Sequence, residues 1–282
     1  MVERRRFGDL IPHLILLAGI GVVAFPVYVC FVGSTLPQDT IANGQMTLVP
    51  GPLFFETYWR TLFVGTSGTT REPVGTMLLN SFVMAAIIAV GKIAISIVSA
   101  YAVVYFKFPL RMAAFWLIFM TLMLPVEVRI YPTYKIAADL SLLDSYAGLT
   151  LPLIASATAT LFFRQFFMTI PDELIEASKL DGAGPVRFFL DTVLPLSRTN
   201  IAALFVILFI YGWNQYLWPI LITTRDNMQT IVIGIKKMIV TADALTEWNV
   251  VMATAMLAML PPVAVVVLMQ RWFVKGLVET EK

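Results

Sequence analysis

The chain has 282 residues, 59% of them hydrophobic and 13% charged, with a formal net charge of +2. A soluble domain carries about 25% charged residues, so this chain lacks the polar surface to cover a water-soluble globule. Near-neutrality also excludes the broad basic field of a nucleic-acid-binding protein.

In chain order, Arg4, Arg5 and Arg6 precede the first apolar run, at about 11–34. A cleaved signal peptide has a shorter apolar core and a small-x-small cleavage site, so this run reads as a retained first span. Its single His13 is alone and suggests no metal site. Cys30, the only cysteine, lies in the run FPVYVCFVG and reads as a buried structural thiol; one cysteine excludes an internal disulfide framework. Five more apolar stretches follow, at about 78–106, 112–126, 146–168, 201–223 and 250–273, most of them near the 20 residues needed to cross a bilayer. The predicted fold class is therefore all-α, with six transmembrane helices in one membrane domain over 11–274. Pro125, Glu127 and Arg129 interrupt the third span, which reads as a kinked helix whose freed backbone groups neighbouring helices satisfy.

With the N-terminus inside, twelve of the 20 Lys and Arg fall in cytoplasmic segments and seven outside, which favours cytoplasmic ends at 1–10 and 275–282. A long outer connection, about 35–77, carries Pro37, Pro50, Pro52 and a Gly/Thr/Ser-rich stretch; connections of that length usually carry function or disorder. Lys92 lies about 14 residues into the second span, roughly 21 Å along it. A charge at such depth faces a cavity or a partner. It either lines a substrate pathway and attracts a phosphate, or pairs with Glu127, or snorkels. Glu127 and Arg129 near the outer end of the third span are a gate, a local pair or an anion-handling site. Asn80, Asn214 and Gln215 read first as interhelical hydrogen-bonding residues, with Asn214 also a candidate for the pathway. Trp213, Trp218 and Trp272 read as interfacial anchors.

The second long connection, 169–200, lies inside and reads TIPDELIEASKLDGAGPVRFFLDTVLPLSRTN. Pro171 suits a first helical turn, and Asp172 and Glu173 suit the positive end of the helix dipole. Gly182 ends this helix. Gly184-Pro185 opens a second, on which Val186, Phe189, Leu190, Val193 and Leu194 share one apolar spacing, and Pro195 closes it. Taken alone, this is a helical hairpin resting on the cytoplasmic membrane surface.

Glu176-Ala177-Ser178, then Asp181-Gly182-Ala183, then Leu194-Pro195, between the fourth and fifth spans, resembles the EAA loop of binding-protein-dependent ABC importer permeases. Ser178 departs from the family's usual Ala, but both are small. Further stretches (TLMLPVEVRI, DSYAGLTLPLIASATAT, FRQFFMTIPDEL, ALFVILFIYGWNQYLWP and QRWFVKGLVETEK) extend the resemblance over the whole chain, within the maltose-type sugar importers and toward those that carry glycerol-3-phosphate. The resemblance implies a type I importer permease fold and a loop that docks in a groove of a separate ATPase. It implies a paralogous permease subunit, two copies of that ATPase and a periplasmic binding protein, in a bacterial inner membrane. It implies sn-glycerol-3-phosphate or a glycerophosphodiester as cargo, with a neutral sugar or oligosaccharide as the alternative. No cofactor would be bound directly, since ATP and Mg belong on the partner ATPase. This chain has no P-loop: Gly91-Lys92 lacks the first glycine and the following Ser/Thr. An integral-membrane enzyme acting on lipid head groups has only Asp181-Gly182-Ala183 in its favour. A secondary carrier would show matching halves with broken helices.

Overall fold

The structure is a computed structural model and describes residues 10–65, 72–121, 124, 126–239 and 246–278, without the side chains of 10, 126, 127 and 273–278. Among the described residues every regular element is helical. In chain order these are α1 (Leu10–Ser34), α2 (Gln38–Ala42), α3 (Phe54–Phe63), α4 (Val74–Tyr105), α5 (Arg111–Met120), α6 (Val126–Asp139), α7 (Tyr146–Thr150) and α8 (Ala157–Phe167). Then follow α9 (Asp172–Leu180), α10 (Pro185–Phe188), α11 (Leu194–Leu196), α12 (Arg198–Trp213), α13 (Leu217–Ile222), α14 (Ile231–Ile239) and α15 (Trp248–Val278).

Among the described residues three helices are long and apolar enough to cross a membrane by themselves, within α1, α4 and α15. The 25 residues of α1 extend about 37 Å at 1.5 Å per residue, more than the roughly 30 Å hydrocarbon core. Among the described residues two bent helix pairs pass the same test of length and composition. Tyr146–Leu153 and Ala157–Phe167 meet at 49°, and Pro185–Leu196 and Arg198–Trp213 meet at 69°. The first break has a local cause: Ser156 leaves the helix with extended backbone and accepts the Ala159 N–H to start α8 anew, as an N-cap does. The expected third span is the ten-residue α5, followed at Val126 by α6. The expected all-α class is therefore what the described residues adopt.

The chain divides into two units, Met1–Thr76 with Gly234–Leu260, and Met77–Ile233 with Pro261–Lys282. In the first, Thr35 at the end of α1 accepts the Gly51 N–H at 2.7 Å, and Gln38 donates to the Thr246 carbonyl at 2.6 Å. In the second, Met84, Ile88, Leu149, Trp218 and Ile222 form a buried cluster. Gly212 lets α12 lie against α4, for a side-chain carbon there would fall 2.9 Å from the Cα of Ala85.

Two of the tryptophans are not anchors. Trp213 and Trp218 are both buried, and the Trp218 indole N–H donates to the Gly148 carbonyl at 3.0 Å. Once that donor is satisfied, burial of so large a ring is favourable. Trp272 is exposed.

Candidate functional site

The hairpin between α8 and α12 begins at Pro171, whose extended backbone (φ −60°, ψ 139°) caps α9 from outside rather than occupying its first turn. Asp172 and Glu173 follow in the first turn and Lys179 lies in the last, each on the side its charge prefers in the helix dipole. The helix ends in a Schellman arrangement. Gly182 has φ 70°, its N–H donates to the Lys179 carbonyl at 3.0 Å, and the Ala183 N–H reaches back to the Ser178 carbonyl at 3.0 Å. A glycine tolerates this left-handed geometry because it has no Cβ.

Gly184 then caps α10, with Pro185 in its first turn. The chain widens into a π turn over Phe189–Val193 and continues through Pro195 to Leu196. Pro195 therefore does not close the second helix. A wide turn just before it takes up the carbonyl that a proline leaves without a donor. The apolar set of this helix also splits between two faces. Phe188 and Val193 are buried, whereas Val186 and Leu190 are exposed.

The buried face is held by two tyrosines one turn apart at the end of α4. The Tyr101 hydroxyl donates to the Pro185 carbonyl at 2.7 Å, and the Tyr105 hydroxyl to the Phe167 carbonyl at 3.3 Å. Their rings meet the hairpin: Tyr101 and Phe189 have centroids 4.9 Å apart, Tyr105 and Phe188 5.4 Å. These separations suit favourable aromatic pairs. The sequence reading missed this clamp, although a tyrosine pair spaced i, i+4 at the end of an apolar span was its visible trace.

The motif residues fall on both sides of this clamp. Glu176, Ala177, Asp181 and Gly182 are exposed, and Ser178 and Ala183 are partly covered. Leu194 and Pro195 are partly covered in the turn that leads into α12. Leu180 is 89% exposed. With Val186 it flanks the glycine corner, so an otherwise polar hairpin presents apolar side chains outward. Arg187 and Asp191 pair on the open side at 3.2 Å.

The second candidate group is brought together within one unit by α4, α6 and α12. Lys92 is only 6% exposed. Its ammonium lies 3.7 Å from the centroid of the Tyr211 ring, a cation–π contact worth about 0.5–2 kcal/mol. Arg129 of α6 is exposed and near enough for its charge to bear on Lys92. No described carboxylate pairs with either cation; the side chain of Glu127 lies outside the described residues. Asn214 caps the end of α12, exposed, three residues beyond Tyr211, while Gln215 bonds back to the Tyr211 carbonyl at 3.1 Å. This places one positive charge over a phenol ring with a second near enough for its field to add, an arrangement able to attract an anion.

Asn80 is a structural hub. It accepts from the Tyr146 hydroxyl at 2.6 Å and donates to the carbonyls of Asn227 and Gln229 at 2.8 and 3.0 Å. Among the described residues no three His, Cys, Asp or Glu side chains cluster as metal ligands would.

Residues 92–279 match the model of the family described as "Binding-protein-dependent transport system inner membrane component". Over all 282 residues the chain is 61% identical to the sn-glycerol-3-phosphate transport system permease protein UgpE of Rhizobium meliloti (strain 1021), covering 100% of both chains. It is 60% identical to the proteins of the same description from Yersinia pestis bv. Antiqua (strain Antiqua) and Brucella melitensis biotype 1, again over 100% of each. Among solved structures it is similar to a bacterial ABC transporter involved in the import of the acidic polysaccharide alginate. The TM-score is 0.80 at 20% identity, over 97% of this chain and 99% of that one.

Proposed function

Because the chain belongs to the family of inner membrane components of binding-protein-dependent transport systems, we propose that it is a permease subunit of an ATP-driven importer that carries sn-glycerol-3-phosphate, or a glycerophosphodiester, across the inner membrane. The observation that carries the cargo is full-length identity of about 60% to relatives described as sn-glycerol-3-phosphate transport permeases. The chemistry of Lys92 and Arg129 supports it: a mobile phosphate ester finds two cations that no described carboxylate neutralises. In this reading Lys92, Arg129, Glu127 and Asn214 border the pathway. Tyr211 holds the lysine in place without cancelling its charge.

The complete machine would contain a paralogous permease, two copies of an ATPase subunit and a periplasmic binding protein. ATP and its magnesium would sit on the ATPase. The hairpin over 169–200 would be the part that the ATPase moves. Its exposed corner, with the small residues Ala177, Ser178, Gly182 and Ala183 and the apolar Leu180 and Val186, suits close seating in a groove of another protein. Glu176 and Asp181 would lie at the rim of that contact. The tyrosine clamp on α4, and Leu194-Pro195 leading into α12, would pass the movement on to the spans. The Lys and Arg distribution favours a cytoplasmic side for both termini and this hairpin.

Reconstitution of the four-component complex in vesicles tests the reading. sn-Glycerol-3-phosphate with its binding protein should stimulate ATP hydrolysis and enter the vesicles. Lys92→Gln and Arg129→Gln should each slow entry at saturating binding protein. Stimulation by a neutral sugar and not by the phosphate ester would overturn the cargo. Unchanged entry in both variants would remove the two cations from the pathway.

A further inference from the structure

The sequence FFETYWRTLF folds as α3 and carries three large aromatic side chains at i, i+4 and i+8. At 100° per residue, Phe55, Trp59 and Phe63 form one stripe about 80° wide, Glu56 and Arg60 lie along one edge of it, and Thr57 and Thr61 fall on the far side. The structure follows this wheel. Thr57 and Thr61 are buried, whereas Phe55 is 83%, Trp59 66% and Phe63 60% exposed. Trp59 and Phe63 stand together, with ring centroids 4.5 Å apart. Glu56, next to the stripe, is exposed as well.

The position of the helix decides what such a stripe faces. Its start touches the last turns of α1, where the Phe54 and Phe31 rings lie 6.0 Å apart and the Tyr58 hydroxyl is 3.0 Å from that of Ser34. Its middle is tied to the residue just before α15, for Arg60 pairs with Glu247 at 2.8 Å. Its end meets the first turn of α4. A side-chain carbon at Gly75 would come within 2.8 Å of the Leu62 carbonyl oxygen. These three partners stand at ends of the three helices that are long and apolar enough to span a bilayer. A ten-residue helix is thus in contact with all three ends. It therefore lies at the depth where spans leave the hydrocarbon.

We propose that α3 is an interfacial helix, with Phe55, Trp59 and Phe63 set into the headgroup–acyl boundary of the bilayer and Glu56 turned to water. Aromatic side chains, Trp above all, favour that boundary because the ring is apolar and the indole N–H is polar. Its depth at three span ends fits lipid better than a soluble partner, which would meet the stripe only beyond the membrane surface. The orientation proposed above makes this the outer leaflet; contact with lipid does not depend on that orientation, nor on the cargo.

The test uses the complete importer in lipid nanodiscs, with nitroxide labels at Phe55→Cys, Glu56→Cys and Trp59→Cys in a Cys30→Ser background. Relaxation is read with oxygen, which concentrates in acyl chains, and with a water-soluble nickel chelate. The labels at 55 and 59 should respond several-fold more to oxygen than to nickel, and the label at 56 should show the reverse. As an independent reading that needs no label, the Trp59→Phe difference in fluorescence should be quenched by lipids brominated near the headgroup. Nickel access at 55 and 59 equal to that at 56 would overturn the proposal by placing the stripe in water. Exclusion of both reagents, with no quenching by brominated lipid, would overturn it by placing another subunit there.

Discussion

Lys92 shows how one residue's chemistry depends on its neighbour. A lone ammonium in an apolar span is costly, and a carboxylate partner would cancel the charge. The Tyr211 ring stabilises it through its quadrupole and leaves it positive. Tyr211→Phe keeps the ring face and should leave the unfolding free energy of the purified complex within about 0.5 kcal/mol, whereas Tyr211→Leu should lower it by about 1–2 kcal/mol. Equal losses in denaturant titrations of both would show that the hydroxyl, not the ring, supports the lysine. Asp144 is a second residue whose bonds define its role. Its backbone is left-handed (φ 51°), and its carboxylate accepts the Thr224 and Arg225 N–H groups at 2.6 and 2.9 Å and the Thr224 hydroxyl at 2.5 Å. Slight burial pushes the carboxyl pKa up, but these donors and the Arg225 charge outweigh it and hold it below the usual value. A depressed carboxyl stabilises the fold above its unfolded pKa and loses that contribution as pH falls through the folded one. The loop should therefore stay closed from about pH 8 down to about pH 5. Asp144→Ala should speed amide exchange at Thr224 and Arg225 about tenfold, equivalent to the roughly 1.4 kcal/mol typical of hydrogen bonds to a charged group.

Among the elements, the hairpin was the most legible in sequence and also the one whose details changed most. Its helix start, the stop at Gly182 and the second start at Pro185 are local matters of allowed φ and available N–H groups, so a short window of residues predicts them. The left-handed stop makes an ordered prediction. Gly182→Asn should retain most coupling, because Asn tolerates that geometry, while Gly182→Ala should cost about 1–2 kcal/mol of local stability. Gly182→Val should cost still more. Binding-protein-stimulated ATP hydrolysis in the reconstituted complex should fall in that order; equal activity throughout would show that the stop does not matter. Which apolar side chains of the second helix point inward was not legible. Val186 and Phe188 are both apolar and two residues apart, yet only Phe188 meets Tyr105. The π turn over Phe189–Val193 shifts the phase of the helix midway, so a 3.6-residue period could not assign the faces. Phe188→Ala should loosen the hairpin from α4 and leave ATP hydrolysis no longer matched by uptake, measured as substrate carried per ATP.

For the chain as a whole, long-range ties pair residues far apart in sequence. Arg60 and Glu247 are 187 positions apart and pair at 2.8 Å. Arg60→Glu should lower the melting temperature of the complex and the double exchange Arg60→Glu with Glu247→Arg should recover most of the loss; no recovery would mean that other contacts of these two residues dominate. The sequence by itself determined the membrane class, the apolar spans, the hairpin with its glycine stop, and the family to which 92–279 and the full-length relatives assign the chain. These follow from composition and from backbone preferences that act within a few residues. Tertiary structure alone decided that Trp213 and Trp218 are core residues, that Lys92 rests on Tyr211, that Tyr101 grips Pro185 and that α3 touches three span ends. Each of these depends on which helices come side by side, and in a chain so uniformly apolar nearly every helix face is an equally acceptable neighbour until packing and hydrogen bonding select one.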